Sequence, residues 1–155
     1  MSVARLEALY RERYERFARV AAGIAGDSEL GRDAVQQAFA IALRQRRSFR
    51  GDGSLEGWLW RIVVNEARRL AASRRPLPLA DYEQAGNGHV VDEYGLRGWM
   101  AALPERQRAV LFLRYHADLR YAQIAELLGI DVGTVSATLS AAHTKLRRAL
   151  AEAER

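Results

Sequence analysis

At 155 residues the chain is long enough to bury one real core or to form two small domains. It has no cysteine, which excludes disulfides, thiolate zinc sites and thiol redox sensing within this sequence. Its net charge of +5 is uneven: residues 1–75 carry 15 arginines against 9 acids, residues 76–98 sum to −3, and residues 99–155 sum to +2.

That distribution predicts affinity for a polyanion concentrated in the first half. Lys145 is the one lysine among 24 cations. Arginine suits bidentate phosphate contacts, although a GC-rich genome produces the same bias. No uncharged apolar run is long enough to span a membrane, and the first residues are charged and amphipathic rather than signal-like, so a cytoplasmic protein is expected.

Apolar residues at helical spacing predict a first helix over about Val3 to Ile24, with Leu6, Leu9, Tyr10, Phe17, Val20, Ala21 and Ile24 on one stripe. Gly26-Asp27-Ser28 supplies a turn with capping residues. A second helix is expected over about Leu30 to Arg47, burying Ala34, Val35, Ala38, Phe39, Ile41 and Ala42. Its outward residues Asp33, Gln36, Gln37, Ala40, Arg44 and Arg47 suit protein docking, though exposed polar residues are more often plain solvated surface.

The stretch from Phe49 to Arg75 organises the first half. Gly51-Asp52-Gly53 is a tight polar turn, and Ser54 stands where an N-cap belongs. The helix that follows turns Leu55, Trp58, Leu59, Ile62, Val63 and Leu70 inward, and aligns Arg61, Asn65, Arg68 and Arg75 on the other side. Three arginines with one bidentate amide between them suit a phosphate backbone and one base edge. Trp58 is expected in the core, and Trp60 at the rim or as a stacking platform. Arg13 and Glu66 each interrupt an apolar stripe, which suggests that they pair across the helix interface.

From Pro76 to Asp92 helical periodicity disappears, and Pro76, Pro78, Gly86, Asn87 and Gly88 mark a flexible, acidic linker. Beyond it, Leu96, Trp99, Met100 and Leu103 predict a short helix ending at Pro104, which starts another running to about Tyr115. Tyr121 to Val135 then has the pattern of a helix-turn-helix. Ala125 and Gly129 allow the close crossing, Ile130 plugs the turn, and Asp131 caps a second helix whose Val135, Leu139, Ala142, Leu146 and Leu150 face inward. The expected fold is all-α: two small helical domains, residues 1–75 and 93–155, joined by the linker 76–92.

RGDGSLEGWLWRIVVNEARR resembles the promoter-melting part of bacterial sigma factors of the extracytoplasmic-function group. LPERQRAVLFLRY and YAQIAELLGIDVGTV resemble their C-terminal domain, so the likeness covers nearly the whole chain. The resemblance implies a region 2 that binds the clamp helices of RNA polymerase and opens the −10 element. It also implies a region 4 that sets its helix-turn-helix on the −35 element and touches the polymerase flap.

Carried over by position, Asp33, Gln36, Gln37, Ala40 and Arg44 match the polymerase-docking face, with Gln37 where the family usually has an acid. Arg50, Gly51, Asp52, Gly53 and Ser54 match the loop that captures a flipped −10 base, with Trp60, Arg61, Asn65, Arg68 and Arg75 beside it. On the −35 side the matching positions are Arg120, Thr134, Ser136, Ala137, Ser140, His143 and Arg147. This recognition helix departs from the family: cations return only at Lys145, Arg147 and Arg148, which predicts feeble, less salt-sensitive −35 binding. Gln123 also replaces the usual glutamate.

Core RNA polymerase, promoter DNA and an anti-sigma factor are the partners this implies, with no membrane insertion, cofactor, metal or small-molecule substrate. Two other readings stay open: a sigma-like regulator that reads little DNA through region 4, and an ordinary helix-turn-helix repressor or activator. The basic N-terminal domain argues against the latter. A hydrolase or nuclease fits least, because His89, His116 and His143 are scattered and no paired carboxylates or nucleophile elbow occur.

Overall fold

The computed structural model describes residues 1–73 and 102–154, and among these the only regular structure is helical. Helix α1 (Val3–Ala25) starts where the Ser2 side chain accepts the Arg5 amide at 3.3 Å, and Gly26 ends it. Helix α2 (Ser28–Arg44) is capped by Asp27, which accepts the Leu30 amide at 3.0 Å. It gives way to a 3-10 turn at Arg46–Ser48, so it stops short of the expected Arg47. Helix α3 (Leu55–Ser73) lies against both α1 and α2.

Gly31 sets the separation of α1 and α2. A Cβ there would fall 2.5 Å from the Ala22 Cα, a distance that only a missing side chain permits. The core between the three helices is aromatic: the Phe17 ring meets Trp60 at 4.5 Å and Phe39 at 5.8 Å, and Tyr10 meets Phe39 edge-on at 4.6 Å. Such pairs add about 0.5–1.5 kcal/mol each beyond the area they bury.

Two expectations are corrected here. Trp60 is 2% exposed and belongs to the core, whereas Trp58 is only half-buried, against Phe49 at 5.5 Å. The cause is the wedge position of α3. Leu55, Leu59, Val63, Ala67, Trp60 and Val64 are all buried, an arc of about 180° at about 100° per residue, wider than a helix touching one neighbour requires. The Arg13–Glu66 pair does not form either. Arg13 lies 3.6 Å from Glu56, and Glu66 holds Arg69 at 2.9 Å one turn away.

In the second half, α4 (Glu105–Tyr115) follows Pro104, which occupies the N-cap rather than the first helical position. Helix α5 (Tyr121–Leu128) and α6 (Val132–Ala153) form the helix-turn-helix, with the chain bending by 100° between them. Gly129 makes the turn at φ 67°, a left-handed conformation that side chains resist, and the Ile130 amide bonds the Ala125 carbonyl at 3.0 Å. Gln123 still closes the start of α5, its side chain accepting the Arg120 amide at 2.9 Å. Asp131 sits at the N-cap of α6 without a side-chain cap bond. Val135, Leu139 and Ala142 are buried, but Leu150 is 37% exposed.

The linker and the helix expected through Leu96, Trp99 and Met100 lie outside the described residues, as does His89; Leu103 is buried. No single helix among the described residues is long and apolar enough to cross a membrane.

The halves meet where α4 lies on the end of α1. Phe112 packs on Gly23, whose Cβ would lie 2.3 Å from that ring. The Arg108 guanidinium donates to the Gly23 carbonyl at 3.2 Å, to the Ile24 carbonyl at 3.0 Å, and to the Leu103 carbonyl. The α1 carbonyls belong to a last turn with no intrahelical acceptor role left, so the cation also meets the negative end of the helix dipole. Buried residues of both halves form one continuous core.

Candidate nucleic-acid and polymerase interfaces

The turn before α3 is built to be open. Gly51 and Gly53 adopt φ 81° and 90°, and no atom lies within 4 Å of the Cβ that either would carry. Ser54 closes it as expected, its hydroxyl accepting the Gly57 amide at 3.0 Å. Arg50, Gly51, Asp52, Gly53 and Ser54 are all exposed, and the Phe49–Trp58 contact anchors the turn to α3.

On the open side of α3, Arg61, Asn65 and Arg68 rise at intervals of four and three residues, one above another. Asn65 is exposed. The two arginines carry acidic partners from the second half: Arg61 Nη2 lies 2.9 Å from Glu126 Oε1, and Arg68 Nε 2.8 Å from Glu105 Oε1. Sequence separations of 65 and 37 residues leave no local signal for either pair. Trp60 is buried behind the strip and cannot stack on a base. Arg75 lies outside the described residues.

Asp33, Gln36, Gln37, Ala40 and Arg44 are all exposed on α2, on the face turned away from Ala34, Val35, Ala38 and Ala42. They form one continuous mixed surface with a small residue at its centre.

On the helix-turn-helix, Arg120, Ser136, Ala137, Ser140 and Arg147 are exposed, while Thr134 and His143 are half-buried. Two further hydroxyls of this helix bond its own backbone: Thr138 Oγ1 donates to the Thr134 carbonyl at 2.6 Å and Thr144 Oγ1 to the Ser140 carbonyl at 3.0 Å. Of the hydroxyls in the expected set, Ser136 and Ser140 are exposed and Thr134 is half-buried. His143 stacks on Tyr115 at 5.7 Å, with Tyr115 Oη 2.8 Å from His143 Nε2, an orientation that no sequence spacing announces.

His116 ends α4 and stacks on Phe112 at 5.0 Å. Partial desolvation of its ring against Phe112, and then the Arg19 guanidinium across the seam, hold its pKa below the ordinary histidine value. Among the described residues no group of histidines and carboxylates could hold a metal ion.

Comparison with known proteins agrees with this geometry. Residues 9–76 match the model of Sigma-70 region 2, and residues 96–152 that of Sigma-70, region 4. The RNA polymerase sigma factor YlaC of Bacillus subtilis is 29% identical over 92% of this chain and 90% of its own length. The extracytoplasmic-function sigma factor SigM of Mycobacterium tuberculosis is 31% identical over 92% of this chain and 75% of its own length. In fold, the chain is similar to the sigma factor RpoE of Bartonella quintana, solved with the anti-sigma factor NepR. There the TM-score is 0.71 at 18% identity, over 93% of this chain and 97% of that one. An open glycine turn feeding an arginine strip, a helix-turn-helix and these relatives lead to one conclusion: the chain belongs to the extracytoplasmic-function group of the sigma-70 family of RNA polymerase sigma factors.

Proposed function

We propose that residues 1–75 dock on core RNA polymerase and open the −10 element, that 76–92 span the gap, and that 93–155 set α6 on the −35 element. Asp33, Gln36, Gln37, Ala40 and Arg44 are the polymerase-facing residues of this reading. Arg50 to Ser54 receive a base flipped from the non-template strand, Asn65 hydrogen-bonds its edge, and Arg61 and Arg68 hold the flanking phosphates. Flipping costs a few kcal/mol of lost stacking, which the cationic strip and the turn must recover.

One observation carries this reading: an exposed amide between two arginines on the open side of α3, next to a turn left vacant by two left-handed glycines. By likeness to the Bartonella quintana complex, an anti-sigma factor is the proposed regulatory partner.

Run-off transcription with purified core polymerase and a promoter library tests the whole reading. Asn65→Ala should relax preference at one −10 position by about 1–3 kcal/mol, and unchanged preference would remove that residue from base reading. A second reading has its own support. From Val132 to Thr144 the recognition helix has no Lys or Arg, which favours a sigma-like regulator that reads little −35 DNA. A footprint protecting the −10 but not the −35 element would favour it.

A further inference from the structure

We infer that Tyr115 and His143 form a proton-dependent phosphate seat on the −35 face: the recognition helix gains a cation there only when the imidazole is protonated. This rests on the placement of α6 against −35 DNA proposed above, and adds how that contact is regulated.

Ser136, Ser140, His143 and Arg147 follow one another at intervals of four, three and four residues, so they share one face of α6. Ser136, Ser140 and Arg147 are exposed, and His143 is half-buried between the last two. From Val132 to Thr144 there is no Lys, Arg, Asp or Glu, which leaves His143 as the side chain able to bring a positive charge to this span. Histidine is the side chain whose charge ordinarily changes between about pH 5 and pH 8, whereas arginine keeps its charge throughout.

Tyr115, 55% exposed at the end of α4, holds the ring. The two rings stack at 5.7 Å, and Tyr115 Oη lies 2.8 Å from His143 Nε2. Among the described residues Nδ1 has no hydrogen-bond partner, yet it is not sealed from solvent. In an imidazolium both nitrogens donate, so Nε2–H goes to the phenol oxygen and Nδ1–H is left for an outside acceptor. A phosphate oxygen between His143 and Arg147 receives a charge-assisted bond from each.

Nothing else nearby answers that charge. On α4 the facing group is the Tyr115 phenol, and Arg114 is turned onto the Tyr121 ring at 5.8 Å. On α5, Glu126 is engaged by Arg61 at 2.9 Å. Asp118 and Arg120, in the turn between those helices, are exposed, and no carboxylate among the described residues pairs with His143. Arg147, one turn along α6, opposes a second cation until a phosphate lies between them. Phosphate binding and proton uptake are thus linked, and affinity rises as pH falls.

Anisotropy of a fluorescent −35 duplex recovered from the promoter library, with the full chain at low salt, reads the linkage. Between about pH 8 and pH 6 the parent should tighten about fivefold more than His143→Gln does, and its salt dependence should steepen by up to about 0.9 in log–log slope. Every other titrating group is common to both proteins, so the difference belongs to His143. His143→Arg should bind tightly at both pH values. Tyr115→Phe keeps the stack and loses the hydroxyl, so it should move the rise in affinity to lower pH. Circular dichroism at each pH ensures that folded proteins are compared.

Equal pH responses in the parent and His143→Gln, with Ser136→Arg still strengthening binding, overturn the seat and leave the −35 reading standing. If Ser136→Arg is also without effect, α6 does not meet DNA, and the −35 reading fails together with the seat. A Tyr115→Phe profile that superimposes on the parent's removes the tyrosine from it.

Discussion

Trp60 is the sharpest place to separate a core residue from a DNA contact. It is 2% exposed and packs on Phe17 at 4.5 Å. A buried tryptophan removes roughly 250 Å² from water, an upper estimate of about 6 kcal/mol at about 25 cal/mol per Å². Trp60→Ala should cost about 3–5 kcal/mol, because the surrounding helices relax only partly into the void. Against a total stability of about 5–15 kcal/mol that leaves a marginal protein, so Trp60→Phe is the useful variant, with an expected loss of about 1–2 kcal/mol. Urea unfolding followed by circular dichroism gives the stability, and fluorescence anisotropy with a −10 single strand gives the affinity of the folded protein. The expected result is a lower urea midpoint with unchanged affinity. A Trp60→Phe protein as stable as the parent that has lost strand binding would refute the core assignment and restore the ring as a stacking platform.

Gly31→Ala gains about 1 kcal/mol of helix propensity, yet it places a Cβ 2.5 Å from the Ala22 Cα. Backbone cannot yield as a side-chain tip can, so a net loss of about 1–3 kcal/mol is expected in thermal unfolding. His116 gives a pH signature. Its pKa is lowered in the folded chain, so the unfolded chain takes up the proton first. The packing of α4 on α1 should be intact above about pH 6.5 and weaken as pH falls from there toward the depressed folded value. Stability measured at pH 7.5 and 5.5 should therefore differ more in the parent than in His116→Gln. On the recognition helix, Ser136→Arg should strengthen binding to a −35 duplex and steepen its salt dependence by about 0.9 in log–log slope. No change would mean that this face does not meet DNA.

Periodicity located the helices well: α1, α2 and the helix-turn-helix fall close to their expected bounds, and Ser54, Asp27 and Gly129 act as the sequence suggests. It misled on α3, where the buried residues cover half the circumference rather than one stripe. On α3 the stripe through Leu55, Trp58 and Ile62 marks only one edge of the buried arc, so the two tryptophans exchanged roles. Charge pairing was illegible for a related reason. Arg13 and Glu66 looked like mutual partners because both interrupt apolar stripes, but each found a closer acid or base at the margin of its own surface. The contacts of the strip with Glu105 and Glu126 depend on how the halves meet, which residue spacing does not encode. The family likeness, by contrast, could be traced along most of the chain, because its two motifs are long and ordered.

On the proposed reading, the wedge of α3 between two neighbours limits how much of a strand it would meet. With half its circumference committed, the strip on its open side runs about 10 Å from Arg61 to Arg68 at about 1.5 Å per residue. A stacked strand advances about 3.4 Å per nucleotide, so the strip spans about three of them. Two cations at its ends and one amide between would, on that reading, leave room to interrogate a single letter, and wider selectivity would then have to be assembled elsewhere on the complex.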